Sequence, residues 1–195
     1  MKTTRLEAYS DAVIAIVITI MVLELRPPAG PQPADLLPLL PTVLSYLLSF
    51  LLLSIYWVNH HHLLAATRQV NGRIIWANVH LLFWLSLVPF TTSWLSEYPG
   101  QSWPTAVYAI NHMLGAIAWA LLVFSIIDQE GEDSPLTRVL NSNAKGNFSI
   151  TLYPIAIGAA FINANISYAV FVFIALIWLI PDRRIEAALP TRKEP

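Results

Sequence analysis

Long runs of apolar residues recur through this chain, and only short polar connectors separate them. A helical bilayer span needs about 20 such residues. Six stretches qualify, at residues 8–25, 39–64, 74–96, 105–127, 148–165 and 166–180. Of the 195 residues, 56% are hydrophobic and 12% charged, with mean hydropathy +0.58, a balance that one soluble core would have trouble hiding. The expectation is an all-α membrane protein with six transmembrane helices per subunit, forming one domain over residues 1–195.

Punctuation agrees with these limits. Arg26-Pro27-Pro28-Ala29-Gly30-Pro31-Gln32-Pro33 cannot continue a helix, Asn71-Gly72 and Pro99-Gly100 break the chain, and Pro181 ends the last span. Pro89 and Pro154 fall inside spans, where each is expected to kink its helix. The run 148–180 is interrupted by Asn163, Ala164, Asn165 and Ser167 and reads as two short spans rather than one tilted helix.

Loop charge orients the chain. With both termini cytoplasmic, Lys2, Arg5, Arg68, Arg73, Arg138, Lys145, Arg183, Arg184, Arg192 and Lys193 lie inside and Arg26 alone outside. Asp128, Glu130, Glu132 and Asp133 share an inner loop and read as a solvated surface. The first apolar stretch carries Asp11 and lacks a small-residue cleavage site, so it is expected to be retained. There is no cysteine, hence no thiolate metal site, and a net charge of −1 gives no case for a nucleic-acid partner.

Polar residues inside the spans carry the functional signal. Asp11 and Glu24 sit near opposite ends of the first span, roughly 20 Å apart at about 1.5 Å per residue. Carboxylates there are costly unless hydrated or bonded. Asp11 either caps the helix or locks onto a basic or imidazole partner, Arg5 being the nearest basic residue. Ile16, Thr19 and Leu23 share one face at spacings of three and four. Such a stripe serves ordinary packing or, in a ring of several copies, two apolar constrictions with a hydroxyl layer between them. Trp57, Asn59, His60, His61 and His62 lie toward the inner end of the second span, with Asn78 and His80 in the third. They can hydrate, bond to Asp11 and one another, or hold a metal. The last is disfavoured because adjacent histidines point in different directions and no HExxH pattern exists, so no fixed transition-metal site is expected. No Ser/His/Asp set, phosphate loop or nucleotide fingerprint occurs, and an enzyme is not expected.

Arg5-Leu6-Glu7-Ala8-Tyr9-Ser10-Asp11 resembles the signature opening the first helix of TMEM175-family potassium channels: Arg, three residues, then Phe-Ser-Asp, with Tyr9 here in place of Phe. The likeness continues through Leu23-Glu24-Leu25, Trp57, His60-His61-His62, Asn78 and Leu87-Val88-Pro89-Phe90-Thr91. It implies a passive potassium-selective cation channel of the cell membrane, a homotetramer of identical subunits among membrane lipids, with the first helix of each lining a central pore. Ile16 then looks like the narrow constriction, Thr19 the selectivity hydroxyl and Leu23 an outer ring; Arg5, Tyr9, Ser10, Asp11, His60 or His61, and Asn78 look like the supporting network. No cofactor is implied beyond the permeant potassium ions. An ion- or proton-coupled transporter using Asp11 and the histidines is the alternative, and a non-conducting membrane scaffold a third.

Overall fold

The computed structural model describes residues 2–141 and 144–179, all helix, turn or connector. Helix α1 (Thr3–Met21) starts five residues before the apolar stretch does, with Lys2 extended at its N-cap. Its buried residues Leu6, Ser10, Ile14, Val17 and Met21 recur at spacings of four, four, three and four, so one stripe faces the subunit. A 3-10 turn (Val22–Glu24) closes it before the prolines. After the connector, Pro33–Leu39 winds as 3-10 helix, started by a reciprocal cap between Gln32 and Asp35, and runs straight into α2 (Leu40–Ala66).

Asn71 starts α3 (Gly72–Ser86) by accepting the Ile74 N–H at 2.9 Å. Leu87 breaks the helix where Pro89 removes a donor from the first turn of α4 (Val88–Glu97), so the third segment is two helices in line. Gly100, at φ +78°, turns the chain into α5 (Ser102–Glu130), and Gly131, at φ +84°, lets it leave. The rest comprises α6 (Pro135–Asn141), α7 (Ala144–Ala160), which continues through Pro154, and α8 (Ala164–Leu179).

The expectation of six transmembrane helices fails at the C-terminal end. Among the described residues, four segments are long and apolar enough to cross a bilayer: Thr3–Glu24, Pro33–Ala66, Gly72–Glu97 and Ser102–Glu130. Phe148–Ala160 and Ala164–Leu179 are apolar but shorter. At about 1.5 Å per residue they reach roughly 20 and 24 Å, short of a hydrocarbon core about 30 Å thick. The turn also falls earlier than expected: Asn163 N–H bonds back to Ala159 O, its Oδ1 takes the Asn165 N–H, and α8 begins at Ala164. Ile180 and the C-terminal basic cluster lie outside the described residues.

Two apolar cores hold the subunit together, one among α1, α2, α3, α5 and α6, the other among α2, α4, α5, α7 and α8. Helix α5 runs through both, and half of its most apolar stretch is buried, against 28% for the α1 segment and 17% for the α2 segment. Helices α1 and α2 therefore keep most of their apolar surface for lipid or for another subunit.

Candidate functional site

In a bilayer, apolar contact between helices gains little over contact with lipid, so polar bonds and close packing set which faces meet. At the N-terminal end of α1 one such bonded chain is fully buried. Ser10 Oγ donates to Leu6 O at 2.8 Å, Asn78 Nδ2 donates to Ser10 Oγ at 2.9 Å, and Asn78 Oδ1 lies 2.6 Å from His60 Nε2. The directions follow from one another. The serine proton is used on the backbone, so Ser10 must accept from the amide nitrogen. The amide oxygen then faces the ring, and Nε2 of His60 carries the proton. Ser10, Asn78 and His60 each have 0% exposure, and the chain ties α1, α2 and α3 at one level.

Beside it lies a half-exposed set built from two pairs at i, i+4 spacing. Glu7 and Asp11 on α1 face His61 and Trp57 on α2: Trp57 Nε1 donates to Asp11 Oδ1 at 3.0 Å, and His61 Nδ1 lies 2.8 Å from Glu7 Oε1. Asp11 is thus neither a cap, standing eight residues into the helix, nor a partner of Arg5, which is exposed and pairs with no described side chain. Of the two imidazoles expected here, both are used, His60 toward the amide and His61 toward a carboxylate. Trp57 is among the residues expected to be able to reach Asp11, whereas Glu7 joins the set unforeseen, although the i, i+4 spacing of two acids was available as a signal. Glu7, Asp11 and His61 bring ligand atoms within 4.8 Å of one another, so they are the described residues that could hold a metal. One oxygen of each carboxylate already has a partner, Trp57 for Asp11 and His61 for Glu7. Tyr9 is exposed and is part of neither set of bonds.

The opposite face of α1 has no partner within the described subunit. Ile16 is 56% and Leu23 75% exposed, with Thr19 exposed between them, whereas Ile14 and Val17 behind them are buried. Leu23 lies in the 3-10 turn, beyond the α-helix that the spacing assumed. Thr19 Oγ1 donates into its own helix, 2.9 Å from Ala15 O and 3.0 Å from Ile16 O. Its oxygen lone pairs remain for a group outside. At the C-terminal end Ser93 Oγ donates to Glu24 Oε2 at 2.9 Å, so α1 is fastened at both ends on one side and free on the other.

Further polar contacts lie elsewhere. Asp128 and Glu130, expected as a solvated loop, belong to the end of α5. Asp128 pairs with Arg73 at 2.6 Å, while Glu130 accepts the Arg68 N–H at 2.7 Å and lies 3.7 Å from its Nε. Within the bundle, Ser49, Thr92 and Tyr108 bond through their hydroxyls at 2.8 and 3.0 Å, joining α2, α4 and α5.

These features define an all-α, multi-pass membrane protein whose first helix is anchored along one face and bare along the other. The family model described as endosomal/lysosomal potassium channel TMEM175 matches residues 5–89, a stretch that holds every residue of the bonded sets at the start of α1 and of the bare face. A potassium channel of Chryseobacterium sp. (strain P1-3) is 48% identical over 97% of this chain and 98% of its own. Another, of Streptomyces collinus (strain DSM 40733 / Tue 365), is 30% identical over 97% and 99%. The crystal structure of a lysosomal potassium-selective channel TMEM175 homolog from Chamaesiphon minutus superposes with a TM-score of 0.77 at 30% identity, covering 91% of this chain and 96% of that one. The chain belongs to the TMEM175 family. Membership and the shared fold support an assembly of identical subunits in a membrane.

Proposed function

We propose that this chain is the subunit of a passive potassium-favouring channel, not an enzyme, in which the bare faces of several α1 helices surround one axis. The observation that carries this reading is the unpartnered Ile16, Thr19 and Leu23 stripe on a helix whose other face is bonded at both ends. In a homotetramer Ile16 forms the narrowest apolar ring, Thr19 a ring of outward-facing oxygen lone pairs, and Leu23 a second apolar ring. Arg5, Tyr9, Ser10, Asp11, His60, His61 and Asn78 support and orient the helix, the bonded ones directly. Potassium as the permeant ion is drawn from the relatives' names. With no stack of backbone carbonyls in the sequence, selection rests on pore width, partial dehydration and the Thr19 oxygens, and the preference over sodium is modest. Loop lysines and arginines support cytoplasmic termini in a cell membrane.

The test is potassium and sodium flux through purified protein in sealed liposomes, with Ile16→Asn and protein-free vesicles alongside. The expected result is passive flux favouring potassium, raised several-fold by the variant. Flux that needs a second solute or a proton gradient overturns the channel reading in favour of a coupled transporter, and silence of both folded proteins in favour of a scaffold.

A further inference from the structure

Four aromatic side chains from separate elements converge on the outer side, away from α1. Trp94 of α4, Tyr98 of the following turn, Trp103 of α5 and Phe161 after α7 line an open cleft of about 500 Å³, with Gln101 and Ser102 as its polar groups. Trp103 and Phe161 meet edge to face, ring centres 5.1 Å apart and planes at 87°. Both are largely exposed, at 65% and 51%, so their contact is not the residue of a packed core. The turn beneath is fixed: Tyr98 N–H bonds to Trp94 O at 3.2 Å, Gln101 N–H to Tyr98 O at 3.2 Å, and Gly100 N–H to the hydroxyl of Tyr168 on α8 at 3.0 Å.

An aromatic belt anchors a protein by separate rings at the headgroup level. Rings that converge on a preformed cleft do something else as well, because their faces carry negative quadrupole potential and attract a cation. Among the described residues, no lysine or arginine lines the cleft to compete. The cleft also lies where α4 ends and α5 begins, the ends of spanning segments of 26 and 29 residues, which are long enough to carry those ends past a hydrocarbon core about 30 Å thick into the headgroup region. A primary ammonium needs about three acceptors, and the lining offers few; a trimethylammonium group needs none.

We propose that this cleft binds the trimethylammonium head group of a phospholipid through cation–π contact with Trp94, Tyr98, Trp103 and Phe161. The test uses the full-length assembly in phosphatidylglycerol nanodiscs doped with phosphatidylcholine or with its neutral 3,3-dimethylbutyl analogue, in which carbon replaces the charged nitrogen. Native mass spectrometry counts the lipid retained on release. The choline lipid is expected to be kept about threefold over the neutral analogue, phosphatidylethanolamine less than the choline lipid, and Trp103→Leu with Phe161→Leu to bring the first ratio toward one. Equal retention of the neutral analogue overturns the proposal, since the cleft is then merely greasy, and so does a ratio the double variant leaves unchanged. Should the double variant fail to fold, Phe161→Leu alone decides, its melting curve checked first: a ratio at least halved supports the site, and an unaltered one overturns it.

Discussion

Removing Ser10 Oγ takes away one interhelical bond, whereas removing the Asn78 amide takes away two and strands the proton on His60 Nε2 in a dry interior. Interhelical hydrogen bonds in membranes are worth about 0.5–2 kcal/mol each, and a buried orphan adds about 1–3 kcal/mol. Ser10→Ala is therefore expected to cost about 1 kcal/mol and Asn78→Leu about 2–5 kcal/mol, an order that thermal or denaturant unfolding in detergent checks; equal effects would mean the chain is not continuous. For the proposed pore, Thr19→Ala removes the only hydroxyl on the bare stripe, and the expected outcome is a shift of the reversal potential toward equal permeation of potassium and sodium under bi-ionic conditions. Sequence alone places Ser10, Asp11, Asn78 and three successive histidines at one end of three spans, which is most of this site. It leaves open which imidazole faces inward, because each step along a helix turns about 100° and the angle at which the neighbouring helix sits is a tertiary fact.

Between helices, the two ion pairs that fasten the α2–α3 connector and the start of α3 to α5 differ in a testable way. Arg73 and Asp128 are each 56% exposed, so their 2.6 Å contact is screened and contributes less than about 1 kcal/mol. The Glu130 side chain is 4% exposed and also satisfies a backbone N–H. Glu130→Ala should therefore destabilise by about 1–3 kcal/mol, well beyond Asp128→Ala, and high salt should narrow only the Asp128 effect. Equal losses, or equal salt sensitivity, would contradict this ranking. Hydropathy misses these contacts because a run of acids near a span end looks the same whether it is solvated or paired. It misjudges the C-terminal pair for a related reason: the run 148–180 falls short of two spans of about 20 residues each, and Phe161, Ile162 and Asn163 are spent on the turn as well. The break at Leu87, by contrast, is legible from Pro89.

Across the whole molecule, burial is uneven. The α5 segment is half covered by its own subunit, whereas the α1 and α2 segments are mostly bare, which is the distribution expected when those two helices meet other copies. The chain has no cysteine, so single-cysteine variants give unambiguous crosslinks. Ile16→Cys should yield disulfide-linked dimers on oxidation in membranes, and Ile14→Cys, fully buried two residues away, should not. Crosslinking at position 14 alone would place the wrong face of α1 at the axis.

The bonded chain from Leu6 O through Ser10 and Asn78 to His60 has a direction as well as a strength, and it acts as a keyway for α1. A side-chain tip stands about 5–6 Å from the helix axis, so a twist of roughly 30° carries it sideways by about 3 Å, close to the diameter of a water molecule. Ile16 lies six residues along from Ser10, roughly 9 Å higher at about 1.5 Å per residue. In the proposed ring the bore is consequently governed by an angle, and that angle is held by a hydroxyl, an amide and an imidazole that no permeating ion touches.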